Sequence, residues 1–246
     1  MTLGVLKALF PLLLVTSIAS SQPFRIGVEG GVPLTDAFST ASPTAVSISS
    51  LNYSSATRRY TVGATAEVRL PSHLSIKADV LYKRLGFDST YVPLPLINNV
   101  ICISCPQTLI TSATTANSFE FPVLAKYRIG KLGPLRPYVE GGVAFRTIQG
   151  MKQVSQTSTI NPCVSVCPVV PAPTTGSTTG PGGELSHSFT KGVTAGAGVE
   201  FQHFPLPVGV FGEVRYTRWT AEAFAAPSGG LTSLKDQADV LVGVTF

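Results

Sequence analysis

Eight stretches of this chain alternate apolar and polar residues with a period of two. In the last stretch, Val240, Val242 and Val244 share one face, whereas Asp239 and Leu241 share the other. Alternation of this kind places successive side chains of a strand in two different environments. The predicted strands lie at about 24–37, 58–70, 74–87, 118–129, 135–147, 189–202, 208–220 and 236–246. The pattern therefore predicts an all-β fold.

The connections between these strands alternate between long and short. Long loops are predicted at about 38–57, 88–117, 148–188 and 221–235, and tight turns at 71–73, 130–134 and 203–207. Antiparallel strands joined in sequence order place every second connection at the same end. All four long loops therefore belong to one end of an up-and-down, eight-stranded antiparallel barrel. This asymmetry is typical of transmembrane barrels, which have short periplasmic turns and longer extracellular loops.

The N-terminus predicts a signal peptide over residues 1–21. Lys7 supplies a positive charge, residues 8–15 form an apolar core, and Ser17-Ile18-Ala19 offers small residues at a cleavage site, after Ala19 or Ser21. A membrane anchor is the alternative, but the apolar run is too short to span about 30 Å as a helix. No later stretch of 18 apolar residues is present. Residues 22–246 are therefore expected to form one exported domain that is periplasmic, secreted or in the outer membrane.

Charge is concentrated on the polar faces of the predicted strands. Charged residues make up only 13% of the chain, while hydrophobic residues make up 44%. The polar faces hold eight acids, Glu29, Glu67, Asp79, Glu120, Glu140, Glu200, Glu213 and Asp239, and nine bases, Arg25, Arg69, Lys77, Lys83, Lys126, Arg128, Arg136, Arg146 and Arg215. Alternation alone also fits a soluble lipocalin-type barrel with an apolar interior. Near balance of charge favours pairing within an enclosed lumen, because unpaired buried charge is costly.

The predicted lumen therefore holds an ion-pair network, and the uncharged faces are expected to contact lipid. The predicted network consists of Arg25, Glu29, Glu67, Lys77, Asp79, Glu140, Glu213 and Arg215. Aromatic residues are predicted to form two interfacial belts. The outer belt is Phe38, Tyr60, Phe87, Phe119, Phe145, Phe189 and Trp219, and the periplasmic belt is Phe24, Phe201, Phe204 and Phe246.

With its strand count, loop asymmetry and terminal Phe246, the region 23–246 resembles the eight-stranded outer-membrane barrels of the OmpA transmembrane-domain and OmpX type. The resemblance implies a bacterial outer-membrane location, contact with outer-membrane lipid and insertion by the barrel-assembly machinery. It also implies that Phe246 is part of the signal which that machinery reads. No segment follows the eighth strand, so a peptidoglycan-binding domain of the full-length OmpA type is not expected.

Four cysteines lie in the second and third predicted loops, at Cys102, Cys105, Cys163 and Cys167. Export makes disulfides the expected state. The pairing stays open: local pairs, Cys102–Cys105 and Cys163–Cys167, are favoured, and cross pairs between the two loops are the alternative. A redox site is not expected, because the sequence lacks a thioredoxin-like setting. A four-cysteine zinc site is not expected in an oxidising location.

Candidate catalytic groups are sparse. His187, with Ser186 or Ser188, is the one candidate for a nucleophile and base near the rim, and a solvated rim histidine is the expected alternative. No phosphate-binding loop, metal-binding motif or nucleophile elbow is present, so no catalytic, metal or cofactor site is predicted. The net charge of +5 is spread along the chain without a basic run, so no nucleic-acid partner is expected.

The predicted function is structural or surface interaction, with the loops presented to an extracellular ligand or partner. An eight-stranded barrel has an interior only wide enough for side chains to fill, which favours cross-linking of the lumen over conduction. A narrow pore or transport barrel is the main alternative. A rim enzyme acting on lipid and a soluble lipocalin-like carrier are further alternatives.

Overall fold

The computed structural model describes residues 24–40, 49–93, 96–97, 100–101, 107–130, 132–160, 175–180, 183–202, 208–226 and 230–246. Within these ranges the chain forms fourteen strands. They are β1 (Phe24–Pro33), β2 (Phe38–Thr40), β3 (Ser49–Ser55), β4 (Thr61–Arg69), β5 (Leu74–Pro93), β6 (Leu96–Ile97), β7 (Val100–Ile101), β8 (Gln107–Arg128), β9 (Leu135–Ile160), β10 (Thr175–Gly180), β11 (Phe189–Gln202), β12 (Gly209–Trp219), β13 (Leu231–Ser233) and β14 (Asp236–Thr245). None of the described residues belongs to a helix long and apolar enough to cross a membrane.

Eight of these strands close into a ring. The order around the ring is β1, β4, β5, β8, β9, β11, β12 and β14, and every neighbouring pair is antiparallel. The ring closes where β1 pairs with β14, from Gly27 opposite Thr245 to Pro33 opposite Asp239. The predicted eight-stranded antiparallel barrel is therefore confirmed. The predicted signal peptide, 1–21, lies outside the described residues.

The barrel has a charged interior and an apolar exterior. On β12, Glu213 is 3% exposed and its neighbour Val214 is 53% exposed. On β1, Glu29 is 5% exposed and Val28 is 58% exposed. A soluble carrier has the opposite arrangement, because water dissolves its outer face. An exterior of this composition is stable only against lipid.

The strands extend further than the alternation pattern predicts. β5, β8 and β9 contain 20, 22 and 26 residues, whereas a tilted transmembrane strand needs roughly 9–11. Much of the predicted loops 88–117 and 148–188 is therefore strand. Both faces of these extensions carry small polar residues, so they lack the apolar alternation by which strands are recognised.

The outer ends of these strands form a second part of the sheet beyond the barrel. β3 pairs with the outer half of β5, and β10 pairs with the outer half of β9. We call this part, β3 and β10 with residues 87–93, 107–114 and 153–160, the projecting sheet. It begins above an irregularity between β8 and β9, next to Gly150, which has a φ of +63°. Glycine adopts this left-handed conformation without strain, and such bulges bend a strand.

An apolar cluster closes the outer mouth of the barrel. We call it the mouth cap; it consists of Ala37, Phe38, Leu85, Phe87, Ala116, Ile148, Ala223, Phe224, Ala226 and Leu231. The short strands β2 and β13 pair above the mouth and hold two of its segments together. The ring of Phe38 lies 5.3 Å from the rings of both Phe87 and Phe224. The mouth cap therefore places apolar side chains over the extracellular side of a charged lumen.

The prediction of an outer aromatic belt is wrong for three of its members. Phe38 and Phe87 belong to the mouth cap, and Trp219 faces the lumen at 1% exposure. Trp219 shares the strand face of Glu213 and Arg215, so its position follows the same alternation. Phe24, Phe145, Phe189, Phe201 and Phe246 are exposed on the outside of the barrel. Tyr60 and Phe119 lie on either side of the exterior residue Tyr82, and Phe204 is outside the described residues.

The mouth cap yields a first prediction. Replacing Phe224 by alanine removes a ring that packs on Phe38 and Phe87, a change that costs about 3–5 kcal/mol in a packed core. We expect the segment 220–235 to open locally, so that added protease cleaves it about tenfold faster or more. Heat-modifiable migration on gels, which reports the closed barrel, should be unchanged. Phe189→Ala, on the outside wall, is the control, and equal cleavage of both variants would contradict the prediction.

Candidate functional site: the lumen charge network

Charged side chains fill the barrel because every second residue of its strands faces inward. All eight acids of the polar faces are at most 5% exposed. The buried bases are Lys77, Lys83, Lys126, Arg128, Arg146 and Arg215. Arg25 and Arg69 are partly exposed near the periplasmic end, and Arg136 is also partly exposed. Three clusters of ion pairs follow one another along the lumen.

The repeated sequence Val-Glu-Gly-Gly-Val, at 28–32 and 139–143, supplies two acids to the central cluster. Glu29 on β1 and Glu140 on β9 both face inward. The Glu29 carboxylate lies 3.3 Å from the ammonium of Lys77, and the Glu140 carboxylate lies 3.3 Å from Nε of Arg215. The two copies of the motif therefore perform the same task on different strands.

Lys77 and Arg215 are the cations of the central cluster. Nζ of Lys77 lies 3.0 Å from Glu213 and 3.6 Å from Asp79. Nη2 of Arg215 lies 2.8 Å from Asp79 and is also bonded to Glu213. Lys77 is on β5 and Glu213 is on β12, which are opposite each other in the ring of eight strands. These ion pairs therefore span the lumen.

Aromatic rings complete the central cluster. The hydroxyl of Tyr138 donates a 2.7 Å hydrogen bond to Glu213. The ammonium of Lys77 lies 4.6 Å from the centre of the Phe211 ring, and that of Lys126 lies 3.8 Å from the centre of Tyr138. A cation over a ring face is attracted by the ring quadrupole. These rings therefore fill space and stabilise the buried ammonium groups.

Two glycines make room for these rings. A Cβ atom on Gly198 would lie 2.6 Å from the ring of Tyr138, and one on Gly243 would lie 2.4 Å from the ring of Phe211. Real Cβ atoms do not approach other atoms this closely, so any side chain at either position would displace the ring.

A second cluster lies near the periplasmic end and is centred on Glu200. Its carboxylate lies 2.8 Å from Arg25, 3.1 Å from Arg69, 3.3 Å from Arg128 and 3.6 Å from Lys126. Lys126 and Arg128 also pair with Glu67. The periplasmic cluster thus consists of six side chains, two carboxylates and four cations.

A third cluster lies beneath the mouth cap. Nζ of Lys83 lies 2.9 Å from Asp239 and 3.1 Å from Glu120. Arg146 has no carboxylate within ion-pair distance among the described residues; its Nε donates to Thr190 Oγ1 at 3.1 Å. Its guanidinium lies 4.3 Å from the centre of the Trp219 ring. The lumen is therefore occupied by side chains from its periplasmic end up to the mouth cap.

The structure divides the eight predicted network residues between two clusters. Glu29, Lys77, Asp79, Glu140, Glu213 and Arg215 meet in the central cluster, whereas Arg25 and Glu67 belong to the periplasmic cluster. The named network omitted Glu200 and Lys126, although both are on polar faces. It also omitted the aromatic residues Tyr138, Phe211 and Trp219. These residues share the strand faces of the inward charges, so the alternation pattern could have placed them in the lumen.

The remaining candidate residues lie elsewhere. The four cysteines, Cys102, Cys105, Cys163 and Cys167, are outside the described residues. The amide of Phe246 donates a 2.8 Å hydrogen bond to the Ile26 carbonyl, and its ring is 56% exposed. His187 is exposed at the rim, with Nδ1 2.9 Å from the carbonyl oxygen of Glu222. The described part of the chain contains no group of three or more His, Cys, Asp or Glu residues arranged for a metal ion.

A closed antiparallel barrel with paired charges inside and apolar residues outside defines an integral β-barrel protein of the bacterial outer membrane. The chain belongs to the outer membrane protein beta-barrel domain family, whose model matches residues 19–218. The ring itself continues beyond that match to β14.

Solved structures of similar outer-membrane proteins have low sequence identity to this chain. Neisserial surface protein A is 11% identical, with a TM-score of 0.38 over 91% of this chain and 96% of its own. The N-terminal barrel of Pseudomonas aeruginosa OprF is 13% identical, with a TM-score of 0.34 over 92% and 98%. Yersinia pestis Ail, the attachment invasion locus protein, is 9% identical, with a TM-score of 0.28 over 90% and 98%. No curated protein matches the sequence.

The central cluster yields a second prediction. Lys77→Met leaves Glu29, Asp79 and Glu213 buried with fewer cations, and breaking a buried pair in this way costs about 3–5 kcal/mol. Urea unfolding of the barrel in lipid vesicles should show this loss. In Lys77→Met/Glu213→Gln the loss should be smaller than the sum of the single losses, because one unpaired charge is removed. Arg59→Ala breaks an exposed 3.2 Å pair with Asp36 and should cost about 0–1 kcal/mol. Equal losses for Lys77→Met and Arg59→Ala would contradict the prediction.

Proposed function

We propose that this protein acts through its extracellular surface: the barrel, filled by side chains, anchors the projecting sheet, and the sheet binds an extracellular ligand or partner. The observation that carries this proposal is the length of β5, β8 and β9 relative to a membrane span. Lipid contact along the exterior and recognition of Phe246 by the barrel-assembly machinery belong to the same proposal.

The projecting sheet is held by continuous strand pairing from the barrel wall. The pairing of β5 with β8 continues to Tyr91 opposite Ile110, and that of β8 with β9 continues to Gln107 opposite Ile160. At about 3.3 Å per residue, the 22 residues of β8 extend roughly 70 Å. A membrane span uses about half of that length. The barrel thus supports a hydrogen-bonded sheet that extends well outside the membrane.

The outward face of the projecting sheet offers neutral hydrogen-bonding groups. One row across four neighbouring strands consists of Asn52, Thr90, Thr111 and Gln156. Asn52, Thr111 and Gln156 are exposed. Amide and hydroxyl groups both donate and accept hydrogen bonds, so this row favours a polar, uncharged ligand surface.

The edges of the projecting sheet offer a second means of binding. β3 and β10 are its outermost strands, and within the described residues each has a strand partner on one side only. An edge strand presents unpaired N–H and C=O groups, to which an extended peptide can add as a further strand. The β10 sequence, Thr-Gly-Ser-Thr-Thr-Gly, carries no charge that would oppose such pairing.

The contacts in the lumen oppose the pore alternative. Ion pairs from opposite strands cross the centre of the barrel, and the mouth cap covers its outer end. An ion path through the barrel would require that both the central ion pairs and the mouth cap be displaced. The rim-enzyme alternative has only His187 to carry it, and the one hydrogen bond described for its ring is with a backbone carbonyl. We therefore propose neither conduction nor catalysis.

A shortened variant tests the proposal. Residues 89–112 are replaced by a two-residue Asn-Gly turn between Asp88 and Ala113, which are paired in the structure, so the barrel register is kept. We expect the variant to insert and to keep its heat-modifiable migration. Wild-type barrels in nanodiscs should bind at least one member of a panel of soluble extracellular proteins and polysaccharides, and the variant should lose that binding.

The pore alternative is measured on the same two proteins. In planar bilayers we expect no stable single-channel conductance from either, because the transmembrane contacts are identical. Binding that survives removal of 89–112 would contradict the proposal, and so would ion-selective conductance of the wild type in the absence of panel binding.

A further inference from the structure

We propose that Lys191 and Arg218 form a binding site for the phosphate of an anionic lipid at the outer end of the barrel wall. The site lies on the outside of β11 and β12, where the wall meets the lipid headgroups. It is separate from the lumen and from the projecting sheet, so the inference stands independently of the proposed function.

Strand register brings the two cations together on the lipid-facing side. Val193 is directly opposite Arg218, and Lys191 is two residues from Val193 on the same face of β11. Diagonal neighbours of this kind are about 7–8 Å apart, and their Cβ atoms are somewhat closer. Both side chains are exposed. One phosphate between them can therefore contact both side chains.

The positive charge of this site is not cancelled by neighbouring acids. Lys191 has no carboxylate within ion-pair distance in the described part of the chain. Arg218 has one, Asp236, at 3.6 Å, and the same Asp236 oxygen accepts a 2.5 Å hydrogen bond from Tyr216. The Arg218 side chain remains 65% exposed. Lys191, Arg218 and Asp236 together carry a net positive charge, which attracts an anion.

Aromatic rings beside the two cations favour a lipid over a free anion. Phe145 is directly opposite Lys191 across the β9–β11 pair. Its ring is stacked on that of Phe189, with centres 6.2 Å apart and planes at 16°. Phe189 is 60% exposed. Stacked, exposed rings next to cations are typical of a membrane interface, where the rings contact the region between headgroup and acyl chain.

The wall on the membrane side of the site is uncharged. The next exterior residues toward the periplasm are Val193, Val143 and Tyr216, which are 59%, 46% and 45% exposed, and Val214 follows Tyr216 at 53%. An acyl chain can pack along these residues while its headgroup reaches the cations. The backbone at the site is held in place, because Thr220 donates two hydrogen bonds to the Lys191 carbonyl, from its amide at 2.9 Å and its hydroxyl at 2.8 Å.

Native mass spectrometry of the full chain tests this site. The purified barrel is incubated in neutral detergent with phosphatidylglycerol or phosphatidylcholine of the same acyl chains, and the retained lipid is counted. We expect the wild type to retain the anionic lipid preferentially. In Lys191→Gln/Arg218→Gln this preference should fall about thirtyfold, since each of the two basic residues contributes about 1 kcal/mol near a headgroup.

The control is Arg59→Gln/Lys152→Gln, which removes the same charge from exposed side chains outside the site. It should keep the preference, and both variants should keep heat-modifiable migration. An unchanged preference in Lys191→Gln/Arg218→Gln, or an equal loss in the control, would overturn the proposal. Complete displacement of the lipid by millimolar inorganic phosphate would assign the site to a free anion. A lipid-free dimer that only the site variant disrupts would assign it to a second copy of the chain.

Discussion

Ion pairing across the lumen is the interaction on which the rest of this structure depends. A barrel of eight strands has no room for bulk water inside, so inward charges need partners from other strands. Among the buried bases that the structure describes, Arg146 is the exception, and it contacts a hydroxyl and a ring. At the centre, Lys77 and Arg215 both pair with Asp79 and Glu213. In addition, Lys77 pairs with Glu29 and Arg215 pairs with Glu140. Because these partners come from opposite sides of the ring, the network also cross-links the wall.

The two ends of the lumen are closed by different physical means. At the periplasmic end, four cations surround Glu200. At the outer end, the aromatic and aliphatic side chains of the mouth cap bury one another. Arg146 and Trp219 lie between the charged clusters and the apolar mouth cap, and there a cation stacks on a ring. The membrane-spanning part is thus inverted relative to a soluble protein, and an extended apolar cluster forms where the chain leaves the membrane.

The alternation pattern predicts most of the barrel wall because each strand separates two media. It identifies Val28 and Val214 as exterior residues and Glu29 and Glu213 as interior residues, as the structure shows. The same alternation places Trp219 in the lumen, four residues beyond Arg215 on the same face. The outer aromatic belt, to which Trp219 was assigned, is therefore wrong for this residue. The pattern fails in the projecting sheet, where Thr90, Thr111 and Gln156 face water. Small polar residues lie on both sides of that sheet, so its strands lack a continuous apolar face to recognise.

The sequence by itself determined the fold class, the eight-stranded ring and, within the barrel wall, the side on which strand residues lie, because a strand has a side-chain period of two. Only the tertiary structure decided which charges pair: 136 residues separate Lys77 from Glu213, and their contact depends on ring closure and strand register. It likewise brought Phe38, Phe87 and Phe224 into one mouth cap. Contacts between distant segments depend on the geometry of the closed sheet, which no local periodicity encodes.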